Sequence, residues 1–253
     1  MSWVQYIEIA RNIQRSKMAE DLMSKKIASL AKKFKLDLKN PDLFRNAFVH
    51  RSYLNENPKF DLENNERLEF LGDAVLELAA TKYLYNKYKM PEGELTTLRS
   101  AIVRGKNLSE TGKDLGIEDC IYLSYGEKHG SEKAKSLIIA NCVEAIIGAI
   151  YLDLGFEEAE KFILKNILSS INKIINEKSY IDSKSEFQEK IQEKLKLTPN
   201  YKVLKESGPD HNKEFTSGVF VKNQLIAEGK GSSKSIAEDH AARVALTHID
   251  EIA

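Results

Sequence analysis

NNERLEFLGDAVLELAA, residues 64–80, is too apolar for an open surface helix and too acidic for an ordinary buried one. Glu66, Glu69, Asp73 and Glu77 are spaced by three, four and four residues, so in a helix their carboxylates share one face. Leu68, Phe70, Leu71, Ala74, Val75, Leu76 and Leu78 occupy the rest. A solvated acidic stripe is the commoner explanation of such a pattern. Two features oppose it. Like charges at i,i+4 repel, and Gly72 in mid-helix costs roughly 1 kcal/mol relative to alanine. The stretch therefore predicts a helix packed on several sides, with something present that offsets the repulsion.

Outward from this helix, 253 residues allow one large domain or two smaller ones, with ample length for a core. The 38 basic and 38 acidic residues cancel, so bulk charge gives no pointer to nucleic acid, membrane or acidic partner. Cys120 and Cys142 form neither a disulfide framework nor a thiolate metal site; they fit small buried hydrophobes in a reducing cytosol. The N-terminal run MSWVQYIEIARNIQRSKMAEDLM lacks the uninterrupted apolar core of a signal peptide. SLIIANCVEAIIGAIYLDL (136–154) is broken by Asn141 and Glu144 and reads as a buried helix, not a membrane span.

Up to about residue 176 the periodicity is helical and no convincing strand is seen. In NPDLFRNAFVHRSY (40–53), Asn40 caps, Pro41 takes the first helical position, and Leu43, Phe44, Ala47 and Phe48 form the buried face. A helix starts near Gly93 with Leu95, Leu98 and Ile102 inward; another runs from about Lys135 to Leu152, and FEEAEKFILKNILSSINKII makes a last long one. After the polar connection 177–185 the pattern changes. SKSEFQEKIQEKL opens on a capping box of Ser183 with Glu186 and buries Phe187, Ile191 and Leu195. YKVLKES, KEFTSGVFV and QLIAEGK alternate as strands. A closing helix buries Ala237, Ala241, Val244, Ala245 and His248. The expected fold is an all-α domain over 22–176, then a small α+β domain, α-β-β-β-α, over 182–251. Residues 182–253 hold 11 basic and 12 acidic side chains, so any nucleic-acid contact there must be local.

Glu144 lies in an apolar run, where an unpaired carboxylate costs several kcal/mol. One solution is a buried Arg or Lys partner. The other is a cation: if the two helices pack, Glu69 and Asp73 meet Glu144 and Asn141, and four oxygen donors without His or Cys suit Mg²⁺. A solvent-facing Mg²⁺ site suits phosphate chemistry.

NERLEFLGDAVL (65–76) resembles the signature of the ribonuclease III family of double-stranded-RNA endonucleases. The likeness extends to HRSY (50–53), EGELTTLRSAIVR (92–104) and ANCVEAIIGAIYLD (140–153). FQEKIQ, GPDHNKEF and GKGSSKSIAEDHAA resemble a double-stranded RNA-binding domain. The resemblance implies an all-α endonuclease domain followed by that RNA-binding module. It implies metal ligation by Glu69, Asp73, Glu144 and position 141, with Asp73 and Glu144 catalytic. It also implies a homodimer packed through Phe70, cutting one RNA strand per subunit, and Glu66 near the RNA path. The implied cofactor is Mg²⁺, with Mn²⁺ able to substitute; the implied setting is the cytoplasm, away from membranes, in ribosomal and messenger RNA processing. Glu77 is read as structural.

The family has aspartate where this chain has Asn141. An amide oxygen can ligate a metal, but one negative charge is missing, so weaker Mg²⁺ binding and reduced or abolished turnover are expected. In the second domain Gln188 and Gln192 stand one turn apart, suited to 2′-hydroxyls in the minor groove. His211 matches a second minor-groove contact. Lys230 and Lys234 flank the start of the last helix, where a phosphate is favoured. The family's consecutive lysines are here Lys234–Ser235, which predicts weaker RNA affinity and a shallower salt dependence. The leading reading is a Mg²⁺-dependent duplex-RNA endonuclease. The rival is a duplex-RNA-binding protein on the same fold that cuts poorly or not at all. A third, a helical hydrolase of small nucleotides, leaves the second domain unexplained.

Overall fold

The computed structural model describes the backbone of residues 3–171, 175, 183–209 and 213–252, and side chains from residue 18 onward within those ranges except 19, 170 and 251. Met1–Glu177 and Lys178–Ala253 form two compact units.

In the first unit α1 spans Trp3–Phe34, α2 Pro41–Asn46, α3 Arg51–Glu56, α4 Glu66–Lys87, α5 Glu92–Val103, α6 Gly105–Leu115, α7 Tyr125–Lys128, α8 Glu132–Leu154 and α9 Phe156–Asn166. From Ile138 to Ile150 helix α8 is apolar around most of its circumference, interrupted only by Asn141 and Glu144, because α4, α6 and α9 pack around it. Among the described residues it is the one helix long and apolar enough to cross a membrane, and most of it is buried in this bundle.

The expected helix over 40–53 is two helices. Asn40 Oδ1 does accept from the Leu43 N–H at 3.2 Å, and Pro41 opens α2. The helix stops at Asn46, and Val49 bridges Tyr122 in an isolated parallel pair. Phe44, Ala47 and Phe48 are buried, so long-range packing breaks the helix without moving its apolar face. His50 then caps α3, and Ser52 Oγ accepts from the Ser124 N–H at 3.1 Å, tying HRSY to the 122–124 segment. Likewise the helix expected over FEEAEKFILKNILSSINKII is interrupted after Asn166 by a 3₁₀ turn at Leu168–Ser170, with Ile171 and Ile175 helical again.

In the second unit α10 (Ser183–Leu195) precedes β1 (Asn200–Ser207), β2 (Glu214–Val221), β3 (Gln224–Gly231) and α11 (Lys234–Leu246). The sheet is antiparallel in the order β1-β2-β3. Lys222 and Asn223 both have positive φ, as a two-residue hairpin turn requires. Phe187, Ile191, Val219, Val221, Ala227, Ala241, Ala242 and Ala245 make the core. Gly229 lets α11 lie directly on β3: a Cβ there would overlap the Ala241 amide nitrogen. Two expectations need correction. His248 is exposed, beyond the end of α11, and Ala242 takes the inner position. Ser183 is already helical, and Glu186 turns to Lys190 at 3.0 Å, so no capping box is formed between them.

Candidate functional site

Helix α4 begins at a fixed place because Asn65 is buried: its Nδ2 donates to the Ala47 carbonyl at 3.0 Å and its backbone N–H to the Val49 carbonyl at 2.9 Å. From there α4 meets α8 backbone to backbone. A Cβ on Gly72 would overlap the Glu144 carbonyl, and a Cβ on Gly148 would overlap the Leu68 carbonyl. These paired glycines bring Glu69 and Asp73 beside Asn141 and Glu144.

The four acids of the opening stretch then divide. Glu66 pairs with Arg51 at 3.4 Å, and Glu77 with Arg99 Nε at 3.0 Å. Glu77 is thus structural, clamping α4 to α5. Glu69, Asp73 and Glu144 have no salt-bridge partner among the described residues. Of the two solutions for Glu144, the buried basic partner is absent among them. The Glu144 carboxyl is pushed up to about 7, first by burial and then by the charges of Asp73 and Glu69. Glu69 is also raised, by burial and by Glu66 and Asp73, while a hydrogen bond from the Asn141 amide opposes the rise. Asp73 is exposed, giving the cluster an open side.

Among the described residues no three His, Cys, Asp or Glu side chains already stand in metal-holding positions. Electrostatics is the better guide here, because carboxylates that repel one another spread until a cation draws them in. Three mutually repelling carboxyls plus an amide oxygen fit a hard divalent cation by donor chemistry.

The acid strain is measurable as stability. In divalent-free protein the unfolded chain releases the residue-144 proton near its ordinary 4.5, the folded chain only near 7. The folded state therefore holds the extra proton, and stability falls as pH rises through this window. Allowing for partial solvent access, the loss is about 2 kcal/mol. Glu144→Gln should abolish it, the variant gaining on the parent from pH 4.5 to pH 7 and keeping the advantage above. Denaturant midpoints in chelator check this; a variant that tracks the parent at every pH contradicts it.

In the second unit Gln188 and Gln192 are exposed on α10, opposite buried Phe187 and Ile191. Lys230 and Lys234 are exposed at the end of β3 and the start of α11, whose cap is Ser233. His211 lies outside the described residues. Sequence reasoning missed two acids here. Glu206 lies 3.3 Å from Lys213 and 3.5 Å from Lys234, and Glu214 lies 3.9 Å from Lys230. The strand register held the signal: Lys230 is opposite Thr216, which makes Glu214 its diagonal neighbour.

Comparison with known proteins follows the same division. A family model described as Ribonuclease-III-like matches residues 40–171, and one described as double-stranded RNA binding motif matches 183–249. The Ribonuclease 3 of Pelotomaculum thermopropionicum is 39% identical over 226 residues, covering 89% of this chain and 94% of the relative. That of Leptospira interrogans is 42% identical over 218 residues, covering 86% and 88%. A crystal structure of the nuclease domain of ribonuclease III from Campylobacter jejuni, 38% identical, superposes with a TM-score of 0.51, covering 58% of this chain and 96% of that one. A helical nuclease domain and a double-stranded RNA-binding domain, in that order and with relatives matched over nearly their whole length, place this chain in the ribonuclease III family of endoribonucleases.

Proposed function

We propose that the chain hydrolyses phosphodiesters on both strands of an RNA duplex, using Mg²⁺ or Mn²⁺ held by Glu69, Asp73, Asn141 and Glu144. The products carry 5′-phosphate and 3′-hydroxyl ends with a short 3′ overhang; the substrates are ribosomal RNA precursors and structured messengers. The carrying observation is the trio of acids without a cationic partner among the described residues, one with its carboxyl raised to about 7. The bound cation supplies charge neutralisation for the reacting phosphate. The chain's own groups line the site: Asp73 on the open side, Glu144 deeper in, and Glu69 with the Asn141 amide beside it. Gln188, Gln192, His211, Lys230 and Lys234 grip the duplex, with Glu66 beside its path. The nuclease domain is assigned to 22–176 and the RNA-binding domain to 182–251. Free, buried Cys120 and Cys142 suit the cytoplasm.

The working unit is a homodimer. Phe70 is 82% exposed, and Leu78 and Tyr85 are exposed on the same side of α4, at intervals of eight and seven residues. An apolar strip of this kind on a helix calls for a partner surface, and two-fold symmetry supplies the same helix of a second copy. Phe70→Asp should weaken dimerisation roughly a hundredfold or more, since a central aromatic anchor is lost twice. Sedimentation over a concentration series reads this; an unchanged dimer would remove Phe70 from the interface.

A second reading has its own support. Asn141 sets its amide beside Glu69 and brings no charge, so the chain could bind duplex RNA and cut it slowly or not at all. End-labelled duplex and single-stranded RNA, incubated with the protein in Mg²⁺ and in chelator, separate the two. Metal-dependent cuts in both strands of the duplex alone support the enzyme. Binding without cutting supports the second reading.

A further inference from the structure

The lysines assigned to RNA phosphate do not stand free. Glu206, near the end of β1, holds Lys213 at 3.3 Å and Lys234 at 3.5 Å. Its partner across the strands is Phe215, and the Lys234 ammonium also lies 5.8 Å from that ring's centroid. Glu214, the next residue before Phe215, takes Lys230 at 3.9 Å. The Lys213 hydrogen bond, with further help from both lysine charges, holds the Glu206 carboxyl below the usual range. Both acids are on the surface, so their grip is weak enough for a phosphate to break.

We propose that Glu206, assisted by Glu214, is a built-in competitor of RNA phosphate: Glu206 occupies Lys234 at the start of α11, Glu214 occupies Lys230 at the end of β3, and together they set the affinity of the domain for duplex. The inference rests on the assignment of Lys230 and Lys234 to the RNA face. A lysine retained by Glu206 neutralises no phosphate and releases no counterion. A phosphate that does take the lysine leaves a carboxylate close by, which repels it. Either way the acid lowers affinity, and retention also flattens the salt dependence. The domain's slightly acidic balance thus has a specific location, the rim of its phosphate site.

The test uses the full chain in chelator, with a labelled RNA duplex of about 20 base pairs, longer than the roughly 16 such a domain spans. Affinity is measured between about 50 and 200 mM salt for the parent, Glu206→Gln, Glu214→Gln and Asp250→Asn. Asp250 follows the far end of α11 and controls for net charge alone. Glu206→Gln should bind about three- to tenfold tighter at the lowest salt. Its plot of log affinity against log salt should be steeper by up to about 0.9 for each lysine freed. Glu214→Gln should show a smaller effect of the same sign, and Asp250→Asn neither. Equal or weaker binding by Glu206→Gln, or an equal gain in Asp250→Asn, overturns the proposal. Lys234→Ala and Lys230→Ala in the parent locate the failure. If they weaken binding, the RNA face stands and only the competition is wrong. If they change nothing, the lysine assignment itself is wrong.

Discussion

Replacing Asn141 with aspartate should raise the rate of duplex cleavage at least about a hundredfold at limiting Mg²⁺, and less at saturation. The four positions of the cluster can carry at most three charges, and the Asn141 amide beside Glu69 opposes the rise of that carboxyl without adding a charge of its own. A dication held mainly by oxygen donors gains affinity with each carboxylate added, and losses at such sites run to 10–100-fold even for supporting residues. Aspartate at 141 restores the charge and turns the donor into an acceptor. The exchange is isosteric and residue 141 is itself only half-buried, so the fold should survive. It carries its own penalty: a fourth acid beside Glu69, Asp73 and Glu144 must destabilise the metal-free protein above pH 7, a loss that added Mg²⁺ should reverse. Single-turnover cleavage over a Mg²⁺ titration, run on both proteins, decides the matter. Identical curves would mean that position 141 does not touch the metal, and the reading of the cluster would fail with it.

The parts of the molecule that periodicity governs are legible in the sequence alone. Helix α4 with its acid face, the buried α8, the three strands and the i,i+4 pair Phe187 and Ile191 are local patterns. So was the strain: Gly72 and the i,i+4 acids signalled that something offsets their cost. What escaped was set by contacts between distant segments. Nothing in residues 40–53 says that Val49 will bridge Tyr122, and that pairing splits the expected helix. Arg51 and Arg99 lie 15 and 22 positions from Glu66 and Glu77, so sequence alone could not say which of the four acids is neutralised. The same holds for Glu206 and Lys234, joined through the strand register. His248 falls outside the helical period because the helix ends at Leu246 with Thr247 as its cap, and His248 then leads into a 3₁₀ turn at Ile249–Glu251.

Gly72→Ala should unfold the nuclease unit more readily than any surface change, by about 2–4 kcal/mol. Intrinsic propensity argues the other way, since alanine in a helix interior gains roughly 1 kcal/mol over glycine. The collision decides. The new methyl would overlap the Glu144 carbonyl carbon and oxygen and approach the Gly148 amide nitrogen, and these are backbone atoms that cannot rotate aside as a side chain can. Relief requires α4 and α8 to part, and these helices carry much of the unit's core: Leu68, Val75, Leu76 and Ala79 on one, Ala145, Ile146 and Ala149 on the other. Overpacking in a dense core costs about 1–3 kcal/mol, occasionally more, even where side chains can yield. Gly93→Ala is the matched control, because nothing lies within 4 Å of its Cβ position in the first turn of α5. It should change stability by less than about 0.5 kcal/mol. Denaturant midpoints followed by helical circular dichroism compare the two. The separation would also carry Glu69 and Asp73 away from Glu144, so the metal-free Gly72→Ala protein should lose part of the stability gain that Glu144→Gln gives the parent. If Gly72→Ala is as stable as Gly93→Ala, the helices have slack at their crossing, and the close approach cannot be what gathers the acids.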